Sequence, residues 1–132
     1  MKHLAILQAF FGTALACGSA HAGQISLVSD SEVCESEIPP GKAAVVQATR
    51  SDTSVFLDVI SELNCAYLPD TPELREYRDS ATVLLPTKSP SGAAAMCVCA
   101  HKMRFEIKDL YEGVRTIYYV QDGTALGHTS AP

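Results

Sequence analysis

The sequence predicts a mainly β fold, a small antiparallel β-sandwich with one short helix, stapled by disulfides. The first observation behind this is a long period-two alternation. Cys97, Cys99, His101, Met103, Phe105 and Ile107 fall on one face of an extended chain, and Val98, Ala100, Lys102, Arg104, Glu106 and Lys108 fall on the other. Successive side chains of a strand point to opposite faces, so an apolar row backed by a charged row marks a half-buried antiparallel strand. The second observation is that short apolar runs recur between turn signals, as in a sandwich or small barrel. The third is a set of four cysteines downstream of an export signal, the raw material of two disulfides.

Export is read from residues 1–22. Lys2 and His3 make a basic start, and Leu4 to Ala16 is apolar apart from Gln8, Gly12 and Thr13. Ala20-His21-Ala22 then has the small-x-small form that signal peptidase accepts. Spanning a bilayer takes about 20 apolar residues, which this run does not reach. Cleavage is expected after Ala22, leaving one domain over 23–132 in the periplasm or outside the cell. Lipidation at Cys17 is the lesser alternative, because Ala14 stands where a lipoprotein signal usually carries Leu. No second run reaches membrane-spanning length. With Lys+Arg 10 against Asp+Glu 15 the full chain carries −5, and loss of Lys2 makes the mature part more acidic. Nucleic acid and anionic membrane surfaces need a positive footprint, so neither is an expected partner.

Along the mature chain, Ile25-Ser26-Leu27-Val28 makes a first strand within 23–31, and 29–37 is polar and acidic. Pro39-Pro40-Gly41 turns the chain, because proline fixes φ and glycine tolerates the positive φ that a tight turn can demand. Residues 42–49 read as a strand centred on Val45 and Val46. Residues 54–65 fit two templates. As a helix, Val55, Phe56, Val59, Ile60 and Leu63 form one stripe, with Ser51 or Asp52 as N-cap. As a strand, Val55, Leu57, Val59, Leu63 and Cys65 share a face, with Asp58, Glu62 and Asn64 opposite. The β-branched content and the polar link 50–53 favour the strand and a hairpin.

Residues 70–79 are the expected short helix. Thr71 can cap it, Pro72 suits its first position, Glu73 suits its first turn, and Leu74 and Tyr77 fall three apart. Residues 81–85 form a strand ended by Pro86, and 87–93 form a loop. Beyond the long strand that starts at Cys97, Tyr111-Glu112-Gly113 turns the chain into a strand over 114–121. Asp122-Gly123 signals a two-residue hairpin turn, whose central positions both need positive φ. A short strand at 124–127 and a frayed tail at 128–132 complete the chain.

Cys17 leaves with the leader, so Cys34, Cys65, Cys97 and Cys99 are the candidate disulfide residues. Three pairings are possible. On a strand, Cys97 and Cys99 would lie about 6.6–6.8 Å apart at Cα with parallel side chains, which disfavours a bond between them. Each is expected to reach a different partner, one Cys34 and the other Cys65. A bond from Cys65 to either closes a loop of about thirty residues, worth about 3–4 kcal/mol in chain entropy.

The run CVCAHKMRFEIKDLYEGVRTIYYVQDG resembles the end of immunoglobulin-like or fibronectin-like modules of exported bacterial proteins. In those modules a pattern F-x-I-x-x-L-x-x-G precedes an aromatic-rich strand, and the matching residues here are Phe105, Ile107, Leu110 and Gly113. The resemblance covers about a quarter of the mature chain and implies an immunoglobulin-like fold without implying an activity. The chain has no Trp, the residue that marks true immunoglobulin domains.

The densest chemistry lies between Met96 and Met103. Cys97, Cys99, His101 and Met103 project to one side of the strand. Thiolate, imidazole and thioether together suit copper(I), and cysteine with histidine also suits zinc. That alternative needs reduced thiols. In an oxidising compartment Cys34 and Cys65 compete for the same sulfurs, so the favoured reading makes all four cysteines cross-links and requires no cofactor. His101 is then an inward-facing histidine bonded to backbone, and Met103 is core. A reactive C-x-C thiol activated by His101 and Lys102 is a third reading, which burial would silence.

No catalytic residue is assigned. The histidines of the mature chain are His101 and His128, and no G-x-S-x-G, G-x-G-x-x-G or P-loop occurs. Asp58 and Glu62 read as solvated surface. Tyr111, Tyr118 and Tyr119 can offer an aromatic contact surface or cover a sheet edge. The sequence therefore predicts a non-enzymatic exported module that binds another protein or an envelope component. The alternative is a periplasmic copper- or zinc-handling protein built on Cys97, Cys99, His101 and Met103.

Overall fold

The structure is a computed structural model that describes residues 23–34 and 43–132. The expected leader with Cys17 and its cleavage point Ala22 lies outside the described residues, as does the Pro39-Pro40-Gly41 turn. The described chain runs through β1 (Gln24–Val33), β2 (Val45–Ser51), β3 (Ser54–Asn64), β4 (Leu68–Pro69) and β5 (Glu73–Tyr77). It continues through β6 (Ser80–Leu85), β7 (Thr87–Lys88), β8 (Val98–Lys108), β9 (Thr116–Gln121) and β10 (Thr124–Ser130). Two four-stranded sheets, β1-β8-β3-β2 and β10-β9-β6-β5, are joined by a two-stranded piece, β4-β7. No helix among the described residues is long and apolar enough to cross a membrane.

The alternation over 98–108 becomes the central strand of the first sheet. β8 pairs antiparallel with β3 from Ser54↔Lys108 to Asn64↔Val98, and with β1 from Gln24↔Lys108 to Val33↔Ala100. Its inward row, Cys99, His101, Met103, Phe105 and Ile107, is buried, while Lys102, Arg104 and Lys108 stay exposed. The two-template segment 54–65 is a strand. β3 sits between β2 and β8, so each edge of its backbone is hydrogen-bonded, and Val55, Leu57, Val59 and Leu63 enter the core. Position 58 faces Arg104 across the ladder, and the guanidinium grips the carboxylate through two hydrogen bonds of 2.8 and 3.0 Å. That hydrogen-bonded guanidinium holds the Asp58 carboxyl below its usual range. Both side chains are exposed, so the pair adds little to stability.

Val83, Leu85, Ile117 and Tyr119 of the second sheet join Leu57, Val59, Phe105 and Ile107 of the first in one buried cluster. Phe105 and Tyr119 meet across the gap with ring centroids 6.3 Å apart. The antiparallel expectation fails at one pair, since β6 and β9 run parallel from Ser80↔Thr116 to Leu85↔Gln121. These strands are not a hairpin. Between them the chain crosses to the other sheet and returns through β8, so β9 re-enters in the direction of β6.

Residues 70–79 contain no helix. Glu73–Tyr77 is β5, paired with β6 from Glu73↔Leu84 to Tyr77↔Ser80 and turned at Arg78, whose φ is 55°. Thr71, Pro72 and Glu73 are genuine first-turn preferences, but a helix this short is marginal without packing. Extension along β6 instead pairs its backbone and places Leu74 against the core. The final hairpin turns at Asp122 and Gly123, φ 48° and 80°, as the Asp-Gly signal requires. The tail is not frayed. β10 runs to Ser130, Ala131 N donates to Arg115 O at 2.8 Å, and Arg50 donates to Pro132 O at 3.1 Å.

Strand β10 closes the gap toward β2. Ala44 N donates to Leu126 O at 2.9 Å, beside a bulge between Ala125 and Gly127. A Cβ at position 127 would stand 2.9 Å from Val46 Cγ2 and 3.0 Å from Ala44 O, so only glycine fits this approach. Gly127→Ala is expected to cost about 1–3 kcal/mol in urea unfolding, because backbone must give way. An unchanged midpoint would show that the two sheet edges do not close here.

Candidate functional site

The chemistry-bearing side chains gather at the end of the fold where β8 begins. One step past the last rung of β3 and β8, Cys65 N donates to Cys97 O at 3.0 Å, which sets the two cysteines opposite each other. They are joined by a disulfide. On the other edge of β8, the rung after Val33↔Ala100 sets Cys34 opposite Cys99, and these form the second disulfide. Cys97 and Cys99 thus take separate partners, as strand geometry requires. The two bonds are neighbours: Cys65 Sγ lies 3.1 Å from Cys99 Sγ. Cys99 is fully buried, Cys65 is half-buried, and Cys34 and Cys97 are exposed.

Cys34 reaches this place through a change of parity in β1. Ile25 and Leu27 lie against the core, but the register slips between Leu27 and Ser29. The bulged residue moves the inward set from odd to even positions, so Asp30, Glu32 and Cys34 oppose Met103, His101 and Cys99. The loop before Cys97 is anchored by Asn64. Its amide oxygen accepts from Ala66 N and Ala95 N at 3.0 and 2.9 Å, and its amide nitrogen donates to Ala95 O at 2.6 Å.

His101 is fully buried and is bonded to a side chain rather than to backbone. Its Nδ1 lies 2.9 Å from Asp30 Oδ1 and 3.2 Å from Oδ2. A carboxylate only accepts, so Nδ1 carries the proton of this hydrogen bond and Nε2 is the ring nitrogen that Asp30 does not reach. That Nε2 is buried without a hydrogen-bond partner. Across from His101, Ser61 Oγ donates to Gln121 Oε1 at 2.8 Å, and Tyr119 Oη donates to the same oxygen at 2.7 Å. Gln121 Nε2 donates to Glu62 O at 3.0 Å, which ties the second sheet to the backbone of β3. Burial pushes the Tyr119 phenol far above its ordinary range; Asp122 and Asp30 add to the shift, and the Ser61 hydroxyl opposes it.

The proposed metal set is only partly assembled. Cys99, His101 and Met103 share the buried face, but Cys97 precedes the strand at the surface and Met96 is fully exposed. Among the described residues, the group whose ligand atoms lie within 4.8 Å of one another is Glu32, Cys34 and Cys99, and its two sulfurs are bonded together. His101 commits Nδ1 to Asp30. Of the tyrosines, Tyr119 is core, whereas Tyr111 is exposed and Tyr118 lies at the surface beside His128, with centroids 5.7 Å apart. Sequence reasoning missed Asp30, Ser61 and Gln121. Asp30 had one available signal: Cys34 and Leu27 have opposite parity, so a bulge between them is needed for both to face inward. Comparison of the chain with models of protein families, with curated proteins and with solved structures finds no match.

The buried pair gives an ordered prediction. Asp30→Ala strands both ring nitrogens of His101 in the core and is expected to cost about 1–3 kcal/mol. His101→Leu removes the orphan Nε2 and leaves Asp30 free to turn to water, so it is expected to cost less. Denaturant midpoints of the two variants check the order, and the reverse order would mean that Nε2 is partnered. The buried phenol predicts alkaline sensitivity. Folded Tyr119 keeps a proton that the unfolded chain releases near pH 10, so its contribution is complete below that pH and falls above it. The slope is about 1.4 kcal/mol per pH unit for one proton. Tyr119→Phe should flatten the stability curve above about pH 10 by that slope, measured by urea unfolding; parallel curves would show a solvent-reached phenol.

Proposed function

We propose that this chain is an exported, non-enzymatic module of the immunoglobulin-like β-sandwich kind, which binds another protein or a component of the cell envelope. One observation carries the reading: the side chains able to do chemistry are committed to one another, the sulfurs and His101 within the first sheet and Ser61 with Gln121 between the two sheets. Four cysteines form two cross-strand bonds, His101 is sealed against Asp30, and Ser61, Tyr119 and Gln121 bond to one another. Disulfides form and persist outside the reducing cytosol, which supports export. The pairing at the end of β8 supports the interaction reading over metal handling, because a disulfide sulfur is no longer a thiolate ligand. Tyr111 and Tyr118 are the aromatic side chains of the C-terminal third still available for contact.

The experiment is a characterisation of the native protein from its own compartment. Mass spectrometry of the extracytoplasmic fraction is expected to find a chain that begins at Gly23 and takes up no alkylating agent under denaturing conditions. Metal analysis of the same sample is expected to find neither copper nor zinc in stoichiometric amount. Four alkylated cysteines together with a bound equivalent of metal would replace this reading with the metal-handling one.

A further inference from the structure

We propose that the two disulfides form a thiol–disulfide exchange relay, which passes a pair of electrons from one surface sulfur to another through a half-buried sulfur–sulfur contact. The four sulfurs make a chain in space, Cys34 bonded to Cys99, Cys99 touching Cys65, and Cys65 bonded to Cys97. Its ends are exposed, while of its middle pair Cys99 is fully buried and Cys65 half-buried. A non-bonded separation of 3.1 Å between Cys65 and Cys99 is already at attack distance for a thiolate on a disulfide sulfur.

The partner required is a dithiol, the reduced form of a small molecule or of an exported oxidoreductase. Its thiolate attacks the exposed Sγ of Cys34, forming a mixed disulfide and expelling Cys99 as thiolate. A charge at Cys99 is fully buried opposite apolar Leu63, where it is disfavoured. That thiolate attacks Cys65 Sγ, so the Cys65–Cys99 bond forms, the Cys65–Cys97 bond breaks, and the charge leaves on exposed Cys97. The second thiolate of the dithiol then attacks its own sulfur in the mixed disulfide and releases Cys34. Two electrons have moved from the dithiol to the protein. The dithiol has become a disulfide, and its two protons end on Cys34 and Cys97. Attack at Cys97 first leads to the same product, because Cys65 is then expelled and strikes Cys99. Either entry ends with Cys65–Cys99 bonded and both surface cysteines free.

The relay makes the half-reduced protein a defined species with a bond that the oxidised protein lacks. This goes beyond the interaction module proposed above and fails separately from it, since export and partner binding do not depend on exchange. The test is titration of the oxidised protein with dithiothreitol, quenching with iodoacetamide and mapping of the peptides. At about one equivalent, the expected product carries label on Cys34 and Cys97 and a crosslink between Cys65 and Cys99. Label on Cys34 and Cys99 with Cys65–Cys97 intact, or label on Cys65 and Cys97 with Cys34–Cys99 intact, overturns the relay. Direct passage from two disulfides to none, with no half-reduced species, overturns it too. A second measurement uses Cys34→Ser, which leaves three sulfurs. Its free thiol is expected at Cys97, open to Ellman's reagent without denaturant; a thiol found at Cys99, and silent until denaturation, is the contrary result.

Discussion

An eleven-residue strand, buried along one face and hydrogen-bonded along both edges, dictates how the other strands are arranged. A backbone at the centre of a sheet cannot leave its N–H and C=O groups unpaired. β8 therefore needs a long neighbour on each side, and β3 and β1 supply them in unbroken or once-slipped register. Its inward row is bulky, so a second apolar layer must cover it, and Tyr119, Ile117, Val83 and Leu85 do so. The second sheet is what the apolar face of β8 and β3 requires.

The cysteines act at the one end of β8 where its ladder would otherwise fray. Each bond ties β8 to a neighbour just beyond the last rung, and they close loops of 65 and 32 residues in sequence separation. Chain-entropy reasoning assigns about 4 kcal/mol to each, a large share of the stability of a domain this small. Burial of Cys99 between them adds a second consequence. Any charge arising there is pressed outward to Cys34 or Cys97, so the same geometry that braces the sheet also directs exchange.

Beside the sulfurs, the core carries a patch of polar groups rather than hydrocarbon. Gln121 satisfies Ser61 and Tyr119 with one oxygen and reaches β3 with its nitrogen, so the second sheet is fixed in register against the first by hydrogen bonds as well as by packing. Such bonds are directional where apolar contact is not, and their loss inside a dry core is costly. His101 breaks the pattern, with one nitrogen held by Asp30 and the other unpartnered.

The β class, the inward row of β8, the Asp-Gly hairpin and the separate partners of Cys97 and Cys99 could all be read along the chain. Each is written in local spacing: a period of two, a dipeptide that tolerates positive φ, and a strand rise that holds neighbouring same-face sulfurs apart. Residues 54–65 were legible as a strand through their β-branched content and the polar link 50–53, although Val55, Val59 and Leu63 suit both periods; the waiting edges of β2 and β8 decide between them. At 70–79 the local helix signals lost outright to the open edge of β6. Folding in three dimensions was needed to set β6 parallel to β9, to match each Cys with its partner, and to gather Asp30, Ser61 and Gln121 around His101. Those depend on how distant strands meet across a sheet or a core, and no spacing along the chain encodes that.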